Sequence, residues 1–134
     1  MQKEFFNPIT GFKDVIDRKF IYQELYSITL FFAKSHGYFE AILPILEKSS
    51  LFERNLGEES DINLKELYKF SFYNENLALR PEFTAGISRM ICSMEGFCKN
   101  HQDKNELNLF SFGPVFRHDR PQAGRYRQFY QANF

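Results

Sequence analysis

Apolar side chains recur at helical spacing between about Arg18 and His36, at Ile21, Leu25, Ile28 and Phe32, and Gly37 follows as a C-terminal stop. Tyr38 to Leu43 then reads as a strand that Pro44 ends. A short helix is expected over Glu47 to Asn55, capped by Ser49 or Ser50, and the polar stretch Gly57 to Asn63 reads as a loop. Lys69 to Phe72 and Leu77 to Leu79 flank Tyr73-Asn74-Glu75-Asn76, a plausible hairpin turn. Ile87, Met90, Ile91, Met94, Phe97 and Cys98 mark a second amphipathic helix, and Lys99 to Glu106 forms a charged connector. The run from Leu107 to Phe116 is apolar on both alternating faces and predicts a strand buried on both sides. It breaks over Asp119 to Gly124, and a second strand-like run from Arg127 to Phe134 completes an antiparallel hairpin.

Composition narrows the class. The 134 residues suggest one domain, able to bury roughly two-thirds of the surface its unfolded chain exposes. Hydrophobic content of 43% and aromatic content of 18%, with seventeen Phe, argues against disorder. No apolar run approaches the ~20 residues of a membrane helix, and MQKEFFNPIT lacks a signal-peptide stretch. No repeats or low-complexity segments occur. Net charge is zero, so no general attraction to nucleic acid is evident. The charge is nonetheless uneven. Glu40 to Glu75 holds eight acidic and four basic residues, which suits solvated surface. Arg117 to Arg127 holds four arginines and one aspartate, where an anionic ligand belongs. Cys92 and Cys98 fall on different faces of the second helix, with no metal-ligand spacing nearby. Two buried, reduced thiols are expected.

The strand period sharpens the arginine-rich hairpin into a candidate site. Arg117 shares a face with Val115 and Asp119, while Arg127, Phe129, Gln131 and Asn133 share a face on the return strand. If those faces coincide, guanidinium, ring, amide and carboxylate point into one cavity. Arginine grips phosphate oxygens two at a time, and a phenylalanine face can stack on a purine. A solvated hairpin with surface charges fits the same pattern. Upstream, Pro81 biases Arg80 to an extended conformation, so Glu82, Phe83 and Thr84 lie near a helix N-terminus. Glu82 and Thr84 suit helix capping, ligand binding or both.

GPVFRHDRPQAGRYRQFYQ (Gly113 to Gln131) resembles motif 2 of class II aminoacyl-tRNA synthetases, in the form found in the histidyl-tRNA synthetase family. GFKD (Gly11 to Asp14) resembles that family's N-terminal signature, and HGYFEAILPILEKSSLF (His36 to Phe52) resembles motif 1. LALRPEFTAGISRM (Leu77 to Met90) resembles its histidine-binding segment. Four collinear motifs are a specific signal. The resemblance implies an α+β fold, a class II synthetase-like antiparallel sheet flanked by helices and incomplete. Motif 1 would span about 18–46, the histidine-binding segment about 77–90 and motif 2 about 107–134.

The resemblance also implies chemistry. Histidine would attack the α-phosphate of ATP, giving histidyl-adenylate, and tRNA(His) would then be esterified in the cytoplasm. Arg117 would be the catalytic residue, holding the α-phosphate and the histidine carboxylate. Asp119 would read adenine, Arg125 would reach the outer phosphates, and Phe129 would stack on adenine. Glu82, Phe83, Thr84 and Gln131 would contact histidine, and Mg²⁺ would be held through ATP phosphates rather than by protein ligands. Arg120, Tyr126 and Arg127 would support the loop. The helix–strand unit at 18–43 would form a homodimer interface, although a helix packed on its own sheet fits the pattern equally.

Three departures stand out: Phe83 where many family members have glycine, Asp119 for the usual glutamate, and an end at Phe134 before motif 3 and the anticodon-binding domain. A weakly active or inactive piece of a longer synthetase is the expectation. Two rivals stay open. One is the histidyl-synthetase-like regulatory subunit of ATP phosphoribosyltransferase, the other a non-catalytic nucleotide- or RNA-binding module.

Overall fold

The computed structural model describes residues 7–16, 19–55, 64–93, 107–120 and 122–134. Helix α1 (Lys19–Ser35) ends where the glycine stop was expected. Gly37 takes a left-handed φ of 75°, Gly37 N–H donates to Lys34 O at 3.2 Å and Tyr38 N–H donates to Ala33 O at 2.9 Å. This paired closure satisfies two carbonyls the helix would otherwise orphan.

Two three-stranded sheets follow. Strands β1 (Phe39–Glu40), β5 (Leu109–Phe116) and β6 (Gln128–Asn133) form the first, in the order β1-β5-β6. Strand β1 is shorter than the Tyr38–Leu43 expected, and it pairs parallel to β5, so this sheet is mixed rather than antiparallel throughout. Strands β2 (Leu46–Lys48), β3 (Lys69–Phe72) and β4 (Glu75–Leu79) form the second, antiparallel, in the order β2-β4-β3. Strand β2 takes Glu47 and Lys48 from the expected short helix, which begins at Ser49 as α2 (Ser49–Asn55). The β3–β4 turn is Tyr73-Asn74 alone, both at positive φ (43° and 64°), while Glu75 and Asn76 pair with Phe72 and Ser71. Two residues suffice because a left-handed pair matches the strand twist.

Helix α3 (Thr84–Ser93) covers the first half of the predicted second helix. Met94, Phe97 and Cys98 lie outside the described residues, as does the Gly57–Asn63 loop. Cys92 is an exposed free thiol, not the buried one expected: it lies two turns beyond the buried Ala85, in the last turn of α3.

The core is divided. Phe52, Leu67, Ala78 and Ala85 pack beside the second sheet. Leu43, Phe83 and Val115 pack against the first, with Ile87, Met90 and Phe129 around them. Arg80 joins the two sheets: its N–H donates to Ile45 O at 2.9 Å and its carbonyl accepts Phe116 N–H at 3.0 Å.

The first sheet has two unlike faces. Helix α1 covers one through rings: Tyr22 stacks on Tyr130 at 4.3 Å, Tyr26 meets Phe112 at 5.6 Å and Phe32 meets Phe134 edge-on at 5.4 Å. The stripe Ile21, Leu25, Ile28 and Phe32 stays 48, 46, 66 and 48% exposed. Packing on the chain's own sheet therefore leaves much of that stripe uncovered. The opposite face of the sheet carries the candidate site.

Candidate functional site

Register decides the face question. Val115 pairs with Phe129 and Gly113 with Gln131, and Arg117 N–H donates to Arg127 O at 3.0 Å. Cross-strand partners share a face, so Arg117, Phe129 and Gln131 stand on one side. Arg117 is anchored by Nε, which donates to Pro81 O at 3.0 Å, and its Cζ lies 5.4 Å from the centre of the Phe129 ring. Its terminal nitrogens make no hydrogen bond among the described residues. At the far end, the Gln131 Oε1 is buried without a hydrogen-bond partner among the described residues. A buried, unpaired acceptor is uncommon in native structure.

Between them lies a packed floor. Phe83, expected to contact a ligand, is 1% exposed and fills the space over Val115 beside Leu43. Its role in the fold is to build that floor, and Phe129 packs against its edge.

Glu82 caps α3. One carboxylate oxygen accepts the Ala85 N–H at 2.9 Å and the other accepts the Thr84 N–H. Thr84 is exposed beside it, its carbonyl accepting Ser88 Oγ–H at 2.9 Å. A carboxylate at this helix end is favoured by the exposed N–H groups and the helix dipole. Asp119 and Arg125 form an ion pair, and the other Asp119 oxygen accepts Arg120 N–H at 2.7 Å. The loop thus closes on its own charges, with Arg125 mostly exposed and able to exchange its partner for another anion.

Sequence reasoning gave Arg80 only a conformational role, and the structure gives it a larger one. The side chain is buried, with Nε donating to Pro114 O at 2.9 Å and Nη1 to Leu43 O at 2.8 Å. Its Cζ lies 4.5 Å from the centre of the Phe83 ring. Burial pulls its pKa down from the ordinary arginine value. Gly113 leaves room for it, since a Cβ there would sit 2.9 Å from Nη2. The available signal was an arginine set between an apolar strand and a proline. Arg127 was read correctly as loop support: Nε donates to Asp119 O at 3.1 Å and Nη1 to Thr10 O at 2.9 Å.

A histidyl-tRNA synthetase family profile matches residues 11–133. The chain belongs to that family. The histidine--tRNA ligase of Rickettsia akari is 44% identical over 133 residues, covering 98% of this chain and 31% of the relative. The chain thus spans about a third of the length of the curated relatives it matches. The apo histidyl-tRNA synthetase of S. aureus superposes with a TM-score of 0.69 at 23% identity, over 94% of this chain and 27% of that one. A Bacillus halodurans protein described as an ATP phosphoribosyltransferase regulatory subunit/histidyl-tRNA synthetase gives 0.71 at 22% identity, over 95% and 31%. At such identities these two superpositions show the fold, the expected α+β core.

Proposed function

We propose that this chain supplies the ATP- and histidine-gripping part of a histidine--tRNA ligase, which activates L-histidine with ATP and passes it to tRNA(His). The observation that carries this reading is the shared face of Arg117, Phe129 and Gln131, with Arg117 braced through Nε so that its outer nitrogens remain for an anion. Attack of the histidine carboxylate on the α-phosphate needs two anions held together and the charge growing on the phosphate oxygens neutralised. Arg117 does both in this reading. Phe129 stacks on adenine, Asp119 reads the adenine amino group, and Arg125 leaves its ion pair for the outer phosphates. Gln131 takes a donor from histidine through its unpaired oxygen. Glu82 and Thr84 face the amino group, Glu82 keeping its cap, and Phe83 supports the pocket from below. Among the described residues no group of three or more His, Cys, Asp or Glu is placed to hold a metal. Mg²⁺ would be carried by the ATP phosphates, and no step is assigned to it.

The exposed α1 stripe supports a homodimer, buried by a second copy. Among the described residues no helix is long and apolar enough to cross a membrane. In this reading the protein works in the cytoplasm, where tRNA is charged.

The test grafts this chain in place of the matching residues of a full-length histidine--tRNA ligase and measures histidine-dependent ATP–pyrophosphate exchange. Exchange that Arg117→Ala abolishes supports the reading; a graft that folds, dimerises and stays inert sinks it. The second reading, a regulatory subunit of ATP phosphoribosyltransferase, is motivated by the description of the Bacillus halodurans protein, which shares the fold. It requires histidine binding with no charging of tRNA.

A further inference from the structure

We propose that the turn Ile9–Phe12 is a strap that positions the loop Asp119–Tyr126 through Arg127. This deepens the synthetase reading and rests on it for the ligand, the polyphosphate of ATP. Phe12 N–H donates to Ile9 O at 2.8 Å, and Gly11 sits at φ 87°, the third position of a tight turn that favours glycine. Both carbonyls of the turn's tip face Arg127. Gly11 O accepts the Arg127 backbone N–H at 2.8 Å, and Thr10 O accepts its Nη1–H at 2.9 Å.

The same arginine reaches both ends of the loop. Its Nε donates to Asp119 O at 3.1 Å, and its carbonyl accepts Arg117 N–H at 3.0 Å. One side chain therefore ties the N-terminal turn to the entrance of the loop, while its backbone closes the exit against Arg117. The fit is close: a Cβ on Gly11 would lie 2.5 and 2.7 Å from Arg127 Cδ and Cγ, so a larger residue must displace the arginine. Two further contacts seat the strap. Lys13 Nζ stands 5.8 Å from the centre of the Tyr126 ring, and Phe12 packs edge-on to Tyr68, which in turn packs on His118.

The consequence concerns preorganisation. A loop whose ends are held spends little ordering entropy when a ligand arrives, so the strap acts on ATP affinity without touching ATP. Gly11 and Arg127 are positioning residues. Histidine is gripped mainly further along β6 and at α3 and meets the strapped loop only through Arg117, so it should feel the strap less than ATP does.

The experiment uses the 134-residue chain with Gly11→Ala and Arg127→Lys, read by amide hydrogen exchange and by calorimetric titration with ATP and with L-histidine. Both variants should speed exchange across residues 119–126 by roughly tenfold, leaving β5 and α3 unchanged. ATP binding should weaken by roughly tenfold while histidine binding holds within about twofold. Unchanged loop exchange in both variants overturns the proposal, and so does faster exchange with ATP affinity intact. If Gly11→Ala unfolds the whole chain, Arg127→Lys decides by the same criteria. A parent chain that binds no ATP, with loop exchange still responding to both variants, removes the nucleotide reading and leaves the strap standing.

Discussion

The two faces of the β1-β5-β6 sheet are made from alternate residues of the same two strands, yet they do opposite work. On one, Phe112, Tyr130 and Phe134 lie under the rings of α1. On the other, Arg117 and Gln131 stand at the ends of a floor built from Val115, Phe129 and Phe83. The aromatic face is adhesive and locates the helix. The second face keeps polar groups at its margins and apolar ones at its centre, so those groups stay ordered without being neutralised. A strand period of two lets one hairpin serve both ends.

The comparison breaks most severely at the floor. Phe83→Ala removes a buried ring that Leu43 and Val115 surround, and should destabilise the chain by about 4 kcal/mol in urea unfolding. Next comes the arginine that clamps the sheets. Arg80→Met fits the apolar surroundings but leaves the Pro114 and Leu43 carbonyls unpaired, so a loss of about 3 kcal/mol is expected in the same assay.

Arg117→Ala sharpens the contrast instead. Its guanidinium is partly exposed and gives up one hydrogen bond, to Pro81 O, so stability should fall by only about 1 kcal/mol. ATP affinity should fall roughly thirtyfold by calorimetry, about 2 kcal/mol for a lost charge-assisted contact. A large stability loss with unchanged ATP binding would make Arg117 part of the floor.

The smallest effect lies on the helix side. Tyr26 Oη–H donates to Glu40 at 2.9 and 3.0 Å, and that hydrogen bond, with burial and the neighbouring charge, raises the phenol's pKa. A folded-state pKa above the unfolded value means the contribution is full below about pH 10 and fades as pH rises through the folded pKa. Tyr26→Phe should therefore unfold with a shallower pH dependence above about pH 9 than the parent chain. Equal slopes would show the contact to be unimportant.

Much of this was readable from residue order, and unevenly so. Helix α1 and its glycine stop and the hairpin at 109–133 followed from spacing, because period and turn chemistry are local properties, whereas the coincidence of the two strand faces waited on the register. The β2–α2 boundary was misplaced by two residues because Glu47 and Lys48 are held by pairing with Ala78 and Leu77, a contact about thirty residues away. The parallel pairing of β1 with β5 was unreadable for the same reason.

Sequence alone determined the chemistry on offer: arginines, a ring and an amide at alternating positions, a proline-directed helix start, and an apolar stripe on α1. Tertiary structure alone decided which of these groups are spent on the fold. Phe83 went into the floor and Arg80 into the joint between sheets. Arg127 took up the N-terminal turn, while the outer nitrogens of Arg117 found no hydrogen-bond partner among the described residues. The physical reason is that burial and hydrogen-bond partners come from segments distant in the chain. A side chain's identity states what it can bind, and only its surroundings state what it has already bound.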